Sequence, residues 1–370
     1  MVIRQNVVEA IEEWRVYDPW NPSWEATAVY RSRVRGCLLG GAVGDALGYP
    51  VEFASLAVIR STHGDRGVTG LVPDVDGAVG RVSDDTQMTL FTVEGLRQAH
   101  ERARLKGIDG AWPQLVREAY GRWLDTQRQP GPDPRVTSGL AALPWLYARR
   151  APGNACLSGL AQVHHPDPAT PLGRPGPVNP DSKGCGTVMR SAPFGLARIP
   201  AGAAFDMAAR CARMTHGHPT GGYAAGALAA IVAHLVADES LEGAVLRTLR
   251  LLSRHPGHEE TSTALNRALD LAAEGAPTAE KVESLGQGWV AEEALAMGVY
   301  CALATHSVSE ALLLAVNHSG DSDSTGSICG NLLGAHYGDH GLPHDWLAAT
   351  EGRADITVLA DDFATENVRK

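Results

Sequence analysis

The chain has no C-x-x-C pair and no paired cysteine spacing. Its six cysteines, Cys37, Cys156, Cys185, Cys211, Cys301 and Cys329, stand singly. That argues against a thiolate zinc site and against a disulfide framework, and fits a reducing compartment. No apolar run approaches the ~18 residues of a membrane span. Residues 1–14 carry Glu9, Glu12 and Glu13 and lack the apolar stretch of a secretory signal. A cytoplasmic protein that touches no membrane is therefore expected. Basic charge is also short, with 32 Lys and Arg against 42 Asp and Glu and a net charge of −10. A general nucleic-acid binder needs the opposite balance. Stretches alternating with period two are few, so no substantial sheet is expected. No internal repeat is evident.

What remains is a helical pattern on a chain of 370 residues, long enough to bury a sizeable core. Apolar positions three and four apart predict helices over residues 31–50, 86–105, 112–127, 202–215, 219–238, 240–254, 261–274, 289–306 and 325–337. Residues 128–186 are rich in proline and read as turns with a short helical piece near 138–149. The pattern implies one all-α domain over residues 31–370. Residues 1–30 precede it as an arm with Trp14, Trp20 and Trp24 set among prolines. Such aromatics either clamp an arm onto its own core or face a partner.

Within the first predicted helix, Gly36, Gly40, Gly44 and Gly48 recur every four residues and form a ridge without side chains. Each glycine costs a helix about 0.8–1 kcal/mol relative to alanine. Four in register imply that another backbone, or a ligand, comes very close. Asp45 interrupts the apolar pattern there, and Glu52 follows just past the end; because they flank the ridge, both are candidate site residues.

Two acidic clusters stand far apart in the chain: Ser83-Asp84-Asp85-Thr86 and Asp321-Ser322-Asp323-Ser324. Each adjoins an apolar run. Carboxylates and hydroxyls at a helix N-terminus can be ordinary caps. Oxygen-only sets of this density also suit Mg²⁺, Ca²⁺ or Mn²⁺. Brought together by the fold, the clusters would make a two-metal site.

Ser182-Lys183-Gly184-Cys185-Gly186-Thr187 forms a glycine-rich loop whose amides could approach a ligand, although it is no P-loop. In Thr215-His216-Gly217-His218, two histidines could bind metal or could close a helix end. Asn317-His318-Ser319-Gly320 adds polar groups beside the second acidic cluster. Asp74, Asp76, His164 and His165 read as surface-loop residues.

Taken in order, these segments resemble the ADP-ribosylglycohydrolase family over about residues 33–340. The matching motifs are 36–48 followed by Glu52, then 83–88, Gly186-Thr187-Val188-Met189-Arg190, Thr215-His216, Gly288-Trp289-Val290-Ala291-Glu292-Glu293-Ala294, and 317–326. The resemblance implies a compact orthogonal α-helical fold holding two Mg²⁺ or Mn²⁺ ions. It implies metal ligation by Ser83, Asp84, Asp85, Asp321, Asp323 and Ser324, with Asp323 bridging. Ser83 and Ser324 stand where family members often carry threonine. Glu52 matches a glutamate near the second metal or the substrate, so Glu52, Asp84 and Asp323 are the catalytic candidates. Gly184, Gly186, Thr187 and His216 match segments that contact ADP-ribose. The implied activity is hydrolysis of the bond between ADP-ribose and a modified protein side chain, most often arginine. Hydrolysis of a free nucleotide and metal-vestigial binding of ADP-ribose are the alternatives. A further possible partner is an ADP-ribosylating toxin, held through residues 1–30 by an immunity protein.

Overall fold

A computed structural model of the chain describes residues 23–107, 110–163 and 170–368. Trp14, Trp20, His164 and His165 lie outside the described residues, and so does most of the arm. Sixteen α-helices occur among the described residues, in chain order. They are α1 Trp24–Gly48, α2 Leu56–His63, α3 Asp84–Lys106, α4 Trp112–Thr126, α5 Asn154–Ala161, α6 Ala192–Gly195, α7 Ala201–Ala212 and α8 Pro219–Val236. There follow α9 Leu241–Leu252, α10 Glu259–Ala273, α11 Ala279–Glu283, α12 Ala291–Ala304, α13 Val308–Val316, α14 Ser322–Tyr337, α15 His344–Ala349 and α16 Arg353–Val368. The described residues hold no strand, only isolated bridges such as Gly184 to Val290. The all-α expectation holds. The helical piece expected near 138–149 is two 3₁₀ turns, Leu140–Ala142 and Pro144–Leu146.

Helix α1 begins at Trp24, earlier than expected, because Ser23 caps it by accepting the Ala26 N–H at 3.2 Å. Residues 24–30, grouped with the arm by sequence, are thus its first turns. Tyr30 is buried, with its hydroxyl donating to Leu196 O at 2.7 Å, whereas Trp24 is exposed.

The glycine ridge meets a second ridge on α14. A Cβ at Gly36 would lie 2.3 Å from Gly334 O, one at Gly40 2.4 Å from Gly330 O, and one at Gly44 2.0 Å from Gly326 O. The two helices therefore run antiparallel in backbone contact over three turns. Of the two readings of the ridge, backbone approach is the one realised along most of its length. The consequence is positional: the C-terminal end of α1, leading to Glu52, meets the N-terminal end of α14, which carries Asp321 and Asp323.

Helix α8 runs through the core and is apolar on nearly every side, the pattern of a buried helix. By length and composition alone it could cross a bilayer, a test that a buried core helix also passes. Its surroundings are protein, with 83% of the stretch buried. Phe205 of α7 lies against its Gly226, and Ala224, Leu228, Ile231 and Leu235 are buried in it.

Candidate metal centre and substrate cleft

Both acidic clusters sit at helix N-termini, where free N–H groups and the helix dipole favour negative charge. Ser83 is the N-cap of α3, and its hydroxyl accepts the Asp85 N–H at 3.2 Å. Asp321 holds the N-cap position of α14 but its side chain caps nothing. Asp323 Oδ1 accepts the Ser324 N–H at 2.9 Å. Paired capping thus explains Ser83 and leaves the Asp321 carboxylate without that role.

The clusters converge on one cleft of about 650 Å³, lined among others by Glu52, Asp84, Asp85, Asp321, Asp323 and Ser324. That volume lies within the usual range for small-molecule sites. Carboxylate oxygens of Glu52, Asp321 and Asp323 fall within 4.8 Å of one another. Asp84, Asp85, Asp321 and Asp323 are nearly inaccessible, at 4%, 2%, 3% and 2% exposed. Buried like charges disfavour ionisation. Burial and then the Asp323 charge raise Asp84, Asp85 and Asp321 well above the usual carboxylate range, and the same causes push Glu52 up to about 11. Glu52 Oε2 and Asp85 Oδ2 are buried without a hydrogen-bond partner. Orphaned oxygens among mutually repelling carboxylates fit oxygen-coordinated divalent cations.

Asp45, a site candidate by sequence, has a different job. It is fully buried and accepts the Ser83 N–H at 2.9 Å, the Thr86 N–H at 3.1 Å and the Thr86 hydroxyl at 2.5 Å. It therefore ties the start of α3 to α1 and fixes where Asp84 and Asp85 point. Burial and the Asp323 charge raise its pKa to about 7, against these hydrogen bonds.

The other wall of the cleft holds Gly184, Cys185, Gly186 and His216. A Cβ at Gly186 would lie 2.7 Å from Cys156 Sγ and one at Gly184 3.1 Å from His216 Nε2. These glycines make room for protein neighbours. The Cys185 N–H already bonds Trp289 O at 3.1 Å and the Thr187 N–H bonds Gly184 O at 3.3 Å. Thr187 is fully buried, does not line the cleft, and donates its hydroxyl to Gly184 O at 3.2 Å. Ser83 is likewise buried behind the lining residues.

His216 faces the cleft, with Nδ1 2.7 Å from Thr215 Oγ1. Burial, aided by the Arg190 charge, lowers its pKa to about 3, so the ring is neutral near pH 7. Arg190 is itself buried, donating to Thr215 Oγ1 at 2.7 Å with its guanidinium 4.6 Å from the Tyr120 ring centre. His218 caps α8 by accepting the Thr220 N–H at 3.2 Å, so the two histidines do not form a metal pair.

His318 and Asn317 hold the loop before α14. Asn317 exchanges hydrogen bonds with the Val68 backbone at 2.9 Å, and His318 Nε2 lies 2.8 Å from Thr325 Oγ1. Asp74 accepts from the Asp76 and Ala78 N–H groups and pairs with Arg81, a loop role as expected.

Several lining residues carried no sequence signal: Phe53, Arg149, and Gly153–Ala155 at the start of α5. The Gly153 N–H reaches Asp84 Oδ2 at 3.4 Å.

A sequence profile of the family described as ADP-ribosylglycohydrolase matches residues 26–370. The ADP-ribosyl-[dinitrogen reductase] glycohydrolase of Rhodospirillum rubrum is 25% identical, over 88% of this chain and 92% of that protein. The human ADP-ribosylhydrolase ARH3 is 26% identical, over 90% and 93%. Among solved structures, an ADP-ribosylglycohydrolase-related protein complex has the same fold, with a TM-score of 0.62 and 24% identity over 91% of this chain and 99% of that one. With an all-α fold of that kind and a match across nearly its whole length, the chain belongs to the ADP-ribosylglycohydrolase family.

Proposed function

We propose that this protein is a metal-dependent hydrolase that removes ADP-ribose from a modified protein, with an arginine N-glycosidic linkage as the bond cleaved. The observation that carries the reading is the gathering of five buried or half-buried carboxylates, two of them with orphaned oxygens, in one nucleotide-sized cleft. The dinitrogen-reductase relative, whose name specifies an ADP-ribosylated protein, supports a macromolecular acceptor.

Ser83, Asp84, Asp85, Asp321, Asp323 and Ser324 would hold two Mg²⁺ or Mn²⁺ ions, with Glu52 in the same cleft. Bound there, such ions would supply Lewis acidity and a water of lowered pKa. The chain's own groups do the rest. Arg149 and the N-terminus of α5 face the cleft and complement a diphosphate, despite the net charge of −10. Neutral His216 offers a hydrogen bond without adding charge. Glu52, held protonated by burial and the Asp323 charge when no cation is bound, would take a proton from the attacking water only once bound cations offset that charge. Asp45 keeps the α3 carboxylates aimed inward.

The reading is tested with arginine-, serine-, carboxylate- and nucleic-acid-linked ADP-ribose, each with Mg²⁺ and with Mn²⁺. Release of intact ADP-ribose from the arginine conjugate, abolished by chelator, is expected. Turnover confined to free nucleotides, or binding without turnover, would refute it.

A further inference from the structure

One pair of rings in the cleft is unexplained by metal or diphosphate binding. Phe53 and Trp289 both line it, stacked with ring centroids 5.3 Å apart and planes at 19°. Phe53 is 70% exposed and Trp289 is 36% exposed. Stability does not require the first ring to stand in water. Moreover, Phe53 has φ 68°, a left-handed conformation that is a genuine outlier for a bulky aromatic residue. The backbone on both sides is pinned, with the Glu52 N–H on Gly48 O at 2.9 Å and the Ala54 N–H on Val51 O at 3.0 Å. Strain of this kind concentrates where a side chain must be aimed for function.

The rings adjoin the carboxylates from both sides. Phe53 directly follows Glu52. Trp289 directly follows Gly288, whose added Cβ would lie 3.2 Å from Asp321 Cβ. Trp289 is fixed in turn by its carbonyl, which accepts the Cys185 N–H. In an ADP-ribosylated side chain, the group bonded to the reacting carbon is the acceptor. Adenine is removed from that carbon by a ribose, two phosphates and a second ribose. A ring beside the carboxylates therefore meets the acceptor rather than the base. Because the two rings already touch, the ligand lies on the outer face of Phe53. A planar cation beside a carboxylate, with an aromatic face beneath it, is the chemistry of guanidinium recognition.

We propose that Phe53, backed by Trp289, is the platform on which the acceptor guanidinium stacks, and so a specificity-determining residue; this rests on the arginine reading above. Phe53→Leu keeps an apolar side chain and removes the π face, Phe53→Tyr keeps the face, and Phe53→Gly releases the strained φ. Three readouts are needed: KM and kcat on ADP-ribosyl-arginine, calorimetric affinity for free ADP-ribose with Mn²⁺, and calorimetric binding of agmatine to the ADP-ribose-loaded protein.

Phe53→Leu is expected to raise KM about 3- to 30-fold, the span of exposed to desolvated cation–π contacts. Its kcat and its ADP-ribose affinity should stay within a few-fold of wild type, and agmatine binding should be lost. Phe53→Tyr should restore KM. Phe53→Gly should melt no lower than wild type, which shows that the ring is not there for stability. An unchanged KM in Phe53→Leu would overturn the proposal, as would a parallel loss of ADP-ribose affinity, which would make the ring a nucleoside contact. If the wild-type chain cleaves no arginine conjugate, the functional reading fails separately. The platform is then judged by agmatine alone: binding that depends on Phe53 sustains it, and no binding to wild type overturns it.

Discussion

Replacing Gly44 by alanine is expected to destabilise the protein by about 3 kcal/mol or more, at or beyond the upper end of ordinary overpacking. The added Cβ would lie 2.0 Å from Gly326 O and 2.3 Å from Gly326 C, both backbone atoms of a buried helix. Neither can move aside as a flexible side chain would. Helices α1 and α14 must separate, and every close approach along the ridge loosens with them. Gly121 of α4 is the control. An alanine Cβ there would meet only Arg117 Nη1, at 3.9 Å. Gly121→Ala is expected to stabilise by about 0.8–1 kcal/mol through helix propensity. Chemical denaturation of the two variants measures both effects. A tolerated Gly44→Ala would mean that the ridge is not in backbone contact. Because α1 leads to Glu52 and α14 begins with the second acidic cluster, residual folded Gly44→Ala should also bind divalent ions weakly.

Asp323→Asn is expected to lower turnover by at least about 10²-fold, the range commonly lost with one acid–base or electrostatic group. The same change should stabilise the metal-free protein, since Asp323 is the largest charge acting on Asp84, Asp85, Asp321 and Glu52. The pH dependence follows from linkage. These groups, with Asp45, have raised pKa values in the folded state, so the folded chain holds protons that the unfolded chain has released. Their stabilisation is complete below the ordinary carboxylate range near about 4. It is lost as pH rises through the folded values, about 7 for Asp45 and about 11 for Glu52. Chelator-treated wild type should thus melt progressively lower from pH 5 to pH 8 in thermal scans. Asp323→Asn should show a shallower fall. A wild-type melting temperature that rises over that interval, or near-normal turnover of the variant with metal present, would count against the site.

Helix α8, apolar on nearly every side, was legible by its length, whereas helices such as α4, α9 and α10 were legible because each buries one face, so the 3.6-residue period survives in the sequence. The glycine ridge was legible for the same reason: only a close neighbour justifies four helix-weakening residues in register. Short helices such as α2 and α5, of eight residues each, span too few turns to show a period. Helix α16 does carry it, with Ile356, Leu359, Ala360 and Phe363 buried at i, i+3, i+4 and i+7. It lay beyond the expected set all the same.

In the site, the acidic clusters stood out because their chemistry is local. Their meeting was not local, since it depends on how α1 lies along α14. Roles that depend on orientation were hidden. Asp45 reads like Asp84 but points at the N–H groups that open α3. Thr187 reads as a donor to ligand but turns inward to Gly184 O. The left-handed backbone of Phe53 leaves no mark in an apolar residue between a glutamate and an alanine.

The most direct test of the central claim is a crystal grown with Mn²⁺, with anomalous scattering measured at the manganese edge. Two peaks are expected in the cleft, each within the usual ~2.0–2.6 Å of oxygen ligands, with a ligand set drawn from both Asp84 and Asp85 on α3 and Asp321 and Asp323 at the start of α14. No peak, or peaks served by one cluster alone, would contradict it.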